Sequence, residues 1–436
     1  MNNRRPTHDA GSSQPMKCQL QPLTLVWKVW LVGLLVAAPA QAADWPQWRG
    51  PQGTGQAPDT APPLTWSATE NVKWKVALDG QGNASPIVVG QKVFITHAPN
   101  DSNLRGLRCY DRATGELKWK HEVEYGEQEP THNTNPFCSA SPVSDGERVI
   151  AWYGSPGVYC YDLEGKLLWR TDLGKVEHIW GFGSSPVIHE GLVFLNFGPG
   201  LSAFVVALDK QTGKEVWRRQ FPGQRSEEIG EFRGSWSTPV VHREGDRTVL
   251  LLSLPGTLRA LDPATGNDVW TCDGLGALVY TSPLIAGDVV IAMSGYGGPA
   301  LAVKSGGNGD VTATHRLWRH ETPKPPQRVG SGVIVGPHLY ILNEPGIAWC
   351  LDVQTGEKKW EERLTGGNSW TSMVHAGGRI YAGNTAGTTF VLAVNPAKCE
   401  ILAENKLGEL TRASPALVDS QVFIRTYENL YCLEAK

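Results

Sequence analysis

The chain has 436 residues, of which 41% are hydrophobic, enough for a large buried core. Its 19% of charged residues sum to a formal net charge of −3 at pH 7. That balance has no polyelectrolyte character and excludes nucleic acid as a favoured partner.

In chain order, Arg4, Arg5 and Lys17 precede an apolar run over residues 23–38, and Ala40-Gln41-Ala42 follows as an A-x-A cleavage site. Residues 1–42 therefore read as a secretory signal peptide cleaved near Ala42. The run is too short for a favoured membrane span, and no Cys stands at the cleavage point to take a lipid anchor. The expected product is exported, periplasmic or extracellular, with no membrane span. Residues 43–70 are rich in Pro and Gly. They open on Asp44-Trp45-Pro46-Gln47-Trp48-Arg49-Gly50-Pro51 and include Pro62-Pro63, which forbids regular helix, so they read as an extended arm. Trp45 and Trp48 are expected to pack against the rest of the protein.

Residues 71–436 are built from one recurring unit. Its clearest copy is residues 207–217, where Ala207, Asp209, Thr212, Gly213 and Trp217 mark a strand, a tight hairpin and a returning strand. Ala260, Asp262, Thr265, Gly266 and Trp270 repeat it, as do the copies that end at Trp119 and Trp360 with Cys109 and Cys350 in place of Ala. The copies ending at Trp169, Trp318 and Ala403 are degenerate, the second through an insertion over residues 305–309. Each unit opens on Ser85, Ser141, Ser185, Thr238, Ser282, Ser331, Ser372 or Ser414, usually followed by Pro, at intervals of 41 to 56 residues. Eight such units, with helical periodicity nowhere in the mature chain, predict an all-β, eight-bladed β-propeller of four-stranded antiparallel blades. The eighth unit stops before an outer strand, and residues 71–78 look like one. The two termini are therefore expected to complete a single blade and close the ring.

Of the seven cysteines after the cleavage site, Cys109, Cys160, Cys350 and Cys432 occupy a small-residue position of the repeat and are expected in the core, too far apart for disulfides. Cys138, Cys272 and Cys399 have no metal-like spacing, and His132 and His178 are single imidazoles, so no metal site is expected.

Topology places the binding face at the end that carries the interblade links, which are long after Trp119, Trp169 and Trp217. Two residues before each opening Ser or Thr the inner strand begins near the ring axis, at Asn83, Ser139, Gly183, Trp236, Tyr280, Val329, Trp370 and Arg412. The links add Trp180 and the polar run Glu227, Glu228, Glu231 and Arg233, either a solvated loop or a set of carboxylates for a cation or basic peptide. Candidate contact residues are therefore Asn83, Trp180, Glu231, Arg233, Trp236, Tyr280, Trp370 and Arg412; the alternative is that the axial ones only plug the channel.

The A-x-D-x-x-T-G-x-x-x-W units resemble the tryptophan-docking motif of the pyrroloquinoline quinone (PQQ) repeat family over residues 45–436. The resemblance implies that Trp74, Trp119, Trp169, Trp217, Trp270, Trp318 and Trp360 pack structurally between blades. It also offers two functional branches: quinoprotein dehydrogenases, and non-catalytic propellers similar to the outer-membrane assembly protein BamB. The first uses PQQ stacked on Trp, Ca²⁺ held by Glu, Asn and Asp, and often a ring of adjacent cysteines. This chain has no Cys-Cys pair, no haem motif and no recognisable ligand set for the metal. It also lacks the lipidated Cys of BamB. The expectation is a non-catalytic envelope scaffold that binds a protein or small ligand, with neither PQQ nor calcium; the alternative is a PQQ- and Ca²⁺-dependent dehydrogenase that oxidises alcohols or sugars.

Overall fold

Each hairpin is set by a carboxylate. Asp209 Oδ1 accepts the amides of Gln211 and Thr212 and the Thr212 hydroxyl at 2.7–3.1 Å, and the Thr212 bonds hold this carboxyl below its usual pKa. The same three bonds recur at Asp111, Asp262 and Asp352. The computed structural model describes residues 44–436 apart from 58–59, 101, 223–232, 322–325, 366 and 436. The signal segment at residues 1–42 lies outside the described residues.

Among the described residues every regular element is a strand, and the strands form eight antiparallel blades around an axis. Blade one, Ile87–Val89, Lys92–His97, Leu104–Asp111 and Leu117–Glu124, sets the pattern that the others follow. Blade eight takes three strands from the C-terminus, Ala416–Val418, Gln421–Arg425 and Asn429–Glu434, and its outermost strand from the N-terminal side, Val72–Ala77. The pairing is antiparallel with Trp74 opposite Cys432, so the ring closes as the sequence predicts. Apolar side chains fill the spaces between blades: Phe194, Val205 and Ala207 of blade three meet Leu250, Leu252 and Leu261 of blade four. Cys109, Cys160, Cys350 and Cys432 are buried free thiols in these layers, and burial raises Cys109, Cys160 and Cys432 to about 12.

The tryptophans tie neighbouring blades together. Trp217 donates Nε1 to Pro263 O of blade four at 2.9 Å and lies on Gly266 of the same hairpin. With φ of +74° and the ring 2.7 Å from where a Cβ would stand, only glycine serves at position 266. Trp74, Trp119, Trp169 and Trp318 bond the equivalent carbonyls of Arg112, Leu163, Lys210 and Val353, and Trp360 reaches Asn395 O. Trp74, Trp169, Trp270 and Trp318 are buried, whereas Trp119, Trp217 and Trp360 keep one edge in solvent.

Two departures from the repeat are compensated. Blade five lacks the regular hairpin, so Trp270 donates instead to the buried Glu244 carboxylate at 2.9 Å. Arg247 holds that carboxylate and bonds Gly307 O and Asn308 Oδ1 of the insertion. The insertion is more than a lengthened hairpin: Gly309–Asp310 pairs in parallel with the outer strand of blade four. In blade seven, Ala403 stands where a tryptophan is missing, and the arm supplies Trp66, which stacks on Tyr381 at 6.2 Å and packs in the same apolar cluster.

The arm is fixed along its length to the face opposite the links. Trp45 pairs with Val88 of blade one, Pro46 O accepts Ser144 N of blade two, Arg49 Nη2 donates to Gly332 O of blade six, and Gln56–Ala57 pairs in parallel beside His375 and Ala376 of blade seven.

Closure has its own polar cluster. The Glu409 carboxylate accepts bonds from Thr426, Asn429, Tyr431 and, across the terminal seam, Lys75. Burial alone raises its pKa, but these four donors outweigh burial and hold it below the usual range. A lowered folded-state pKa means that the contribution is complete above the unfolded value, roughly 4.3, and lost as pH falls through the folded value. Urea unfolding of the protein and of Glu409→Gln should therefore differ most near neutrality, with the gap closing below about pH 4; a gap that widens in acid contradicts the cluster's role. A second pair of variants reads the docking layer. Trp270→Ala, which empties a fully enclosed site and strands Glu244, should cost roughly 3–5 kcal/mol, and the half-exposed Trp217→Ala clearly less.

Candidate functional site

The inner strands place side chains in three tiers along the axis. The middle tier consists of the residues that open the units, and they form a closed ring. The amide of each donates to the hydroxyl of the next: Ser85 to Ser141, Ser141 to Ser185, Ser185 to Thr238, Thr238 to Ser282, Ser282 to Ser331, Ser331 to Ser372, Ser372 to Ser414 and Ser414 back to Ser85, all at 2.8–3.1 Å. The sequence marks these residues as blade starts, but their mutual bonding appears only once the ring is closed.

The tier toward the links holds the eight axial positions named from sequence, and all of them line one cavity of about 400 Å³. Six of the eight candidate contact residues, Asn83, Trp180, Trp236, Tyr280, Trp370 and Arg412, are on its wall. Arg233 is exposed and is not part of the lining, and Glu231 lies outside the described residues, as do Glu227 and Glu228.

A chain of contacts runs round the wall. Trp370 donates Nε1 to Glu344, whose carboxyl burial pushes upward in pKa, and Arg412 stacks 4.8 Å from the Trp370 ring centroid. Arg412 bonds the Tyr427 hydroxyl, which donates to Asn83 Oδ1 at 3.3 Å. Asn83 donates to Thr134 O and Asn135 Oδ1, and Asn135 to the carbonyls of Trp180 and Phe182. Farther round, Trp236 donates to Gly181 O and meets His178 and Tyr280 edge-on. His132 stacks on Trp180 with centroids 4.1 Å apart, and burial lowers His178 to about 4, leaving it neutral at pH 7.

The third tier is the arm. Trp48 reaches the cavity from the opposite end, carried there by the anchors of Trp45 and Arg49. Sequence reasoning placed Trp48 against the body of the fold but not in the channel, because nothing in an extended segment tells which blades it crosses. Tyr296, Gln327 and Asn135 also join the lining from loops whose positions no repeat spacing fixes.

Arg412 is the sole formally charged side chain among the described lining residues, which include no Asp or Glu. Ca²⁺ takes six to eight oxygens with carboxylates prominent among them, and amides and hydroxyls alone do not make such a set. Nor is there a group of three or more His, Cys, Asp or Glu suited to a metal among the described residues.

The family model described as outer membrane protein assembly factor BamB matches residues 64–136, 105–198 and 202–436. The chain belongs to that family. A polyvinylalcohol dehydrogenase of Pseudomonas sp is 25% identical over 242 residues, 45% of this chain and 36% of the relative. BamB of Alkalilimnicola ehrlichii is 27% identical over 217 residues, 48% of this chain and 49% of the relative. The matches thus span about half or less of these curated relatives. Among solved structures, BamB from Moraxella catarrhalis aligns with TM-score 0.61 at 15% identity, covering 83% of this chain and 99% of that one. Quinohemoprotein alcohol dehydrogenase from Comamonas testosteroni aligns with TM-score 0.68 at 13% identity, covering 92% and 82%. Proteins described as an assembly factor and as an alcohol dehydrogenase share this fold, so function has to be argued from the cavity.

The hydroxyl ring can be tested directly. Ser141→Ala leaves the buried Ser85 amide without an acceptor and should cost about 1–3 kcal/mol, whereas Ser141→Thr, the residue already used at 238, should be close to neutral in thermal unfolding.

Proposed function

We propose that this propeller is an exported, non-catalytic binding scaffold of the cell envelope, and that its working surface is the channel mouth bearing Trp236, Tyr280, Trp370 and Arg412. The observation that carries the reading is the make-up of the cavity: aromatic faces, amides and one guanidinium converge there, while the described wall offers no carboxylate base and no activated nucleophile. Half-buried aromatic and arginine side chains are the groups that anchor partners in interfaces and pockets. Membership of the BamB-type family supports an envelope role with a protein partner. The signal-like sequence of residues 1–42 and that kinship support an exported location.

The polyvinylalcohol dehydrogenase relative sets the competing demand. With PQQ and Ca²⁺ added, a dehydrogenase reduces an artificial electron acceptor when given an alcohol or aldose, and chelation of Ca²⁺ stops it. The scaffold reading expects no such turnover. It also expects Trp236→Ala or Arg412→Ala to weaken cross-linked capture of an envelope partner at least tenfold, about 1.4 kcal/mol, at unchanged melting temperature. Chelation-sensitive turnover that Trp236→Ala abolishes would overturn it.

A further inference from the structure

The middle and upper tiers of the channel, and the arm beneath them, define a chemistry for what this cavity holds. We infer that it is a binding site for a hydroxyl-rich carboxylate, a sugar acid, which enters past Trp236 and Arg412 and stops at Trp48. This rests on the reading above that the cavity is the working site and adds the nature of its occupant.

The first observation is that the site is a dead end. The arm crosses the far end at the level of Val88, Ser144 and His375, each three residues beyond an opening serine, and sets Trp48 into the lining. A molecule is therefore held, not threaded through. A volume of about 400 Å³ is within the usual span of small-molecule sites, roughly 300–1,000 Å³.

The second observation is a collar of unused donors. Each hydroxyl in the closed ring already accepts a neighbour's amide, so its own hydrogen must find another acceptor. Six of these residues, Ser85, Ser141, Ser185, Thr238, Ser372 and Ser414, line the cavity while almost wholly buried; each accepts a neighbour's amide, and none donates its hydroxyl to an acceptor among the described residues. Several O–H groups converging on one axis favour a ligand rich in acceptor oxygens.

Charge narrows the class. Arg412 is the only charged side chain of the described lining and His178 is neutral. The buried Glu344 carboxyl, which accepts Trp370 Nε1, acts on Arg412 but does not line the cavity, so the wall itself offers a guanidinium that suits a single anionic group better than a cation. A polyanion would need further cations that the described wall lacks. Trp236, Tyr280 and Trp370 add aromatic apolar surface to the wall beside these polar groups, as suits the C–H groups of a pyranose. A flat aromatic acid would use the rings and Arg412 but leave the collar unmet, and a neutral sugar would leave Arg412 unmatched.

Calorimetric titration of the full chain with glucuronate, galacturonate, glucose, benzoate and a short oligogalacturonate tests this. The expected result is a glucuronate Kd at least tenfold below those of glucose and benzoate, with Arg412→Gln raising it to the glucose value. Since Arg412→Gln could disturb the Trp370 and Tyr427 contacts, the unsubstituted protein gives an independent readout: saturating glucuronate should raise its melting temperature and equal benzoate should not. Oligogalacturonate tighter than galacturonate identifies a glycan terminus as the source, and the reverse a free acid. No heat and no thermal shift with either sugar acid, or glucose or benzoate as tight as glucuronate, overturns the inference. That failure with partner capture intact removes only the occupant; PQQ-dependent turnover would remove the scaffold reading itself.

Discussion

Everything in this ring depends on a circuit of eight hydrogen bonds in which the amide opening each blade is received by the hydroxyl opening the next. The innermost strand of a blade presents an unpaired edge to the channel, and such edges invite pairing with whatever chain is near. Here the first amide of each edge is committed to a neighbour, and in six of the eight units the following residue is proline, which has no amide to offer. Where Met373 replaces proline, its amide donates to Ser331 O. Satisfying the edge in this way also leaves the hydroxyl protons facing the axis, so the device that closes the ring shapes the cavity floor.

The outer layer works by a different principle and tolerates more change. A tryptophan that rests on a glycine of the next hairpin and donates to a carbonyl beside it needs only a small hollow and one acceptor. Both can be rebuilt when the repeat decays, by Glu244 and Arg247 under Trp270 and by Trp66 above the vacancy at Ala403. The strong repeat copies and the degenerate ones therefore produce blades of the same kind. Loss of the motif in sequence does not imply loss of the contact, because volume and hydrogen bonding can be supplied from another part of the chain.

Division of labour between these layers explains how one fold serves kin as different as an assembly factor and a dehydrogenase. The ring and the docking layer set the radius of the channel and the position of the first residue of each inner strand. The side chains two places earlier lie outside the bonded ring and the docking layer, so they can differ without altering either. In this chain they are aromatic, amide and guanidinium groups round a polar floor, with the arm closing the far end.

The sequence by itself determined what repeats. A hairpin signal at regular spacing, with a serine or threonine ahead of each unit, specifies blade number, strand order, a closing strand within 71–78 and the eight side chains at the channel mouth, because period and turn chemistry are local properties of the chain. Residues brought in from outside the repeat were beyond it. Trp48 in the channel, Trp66 in place of a lost tryptophan, Glu244 as a substitute acceptor and Glu409 across the terminal seam all depend on which distant segments the closed ring brings within a few ångströms. The bonding of the opening residues belongs there too: they are plain in the sequence, but Ser414 meets Ser85, 329 positions away, only once the chain between them has been folded into a circle. Tertiary structure alone decided those contacts, because a hydrogen bond or a van der Waals contact depends on distance in space and the repeat specifies only distance along the chain.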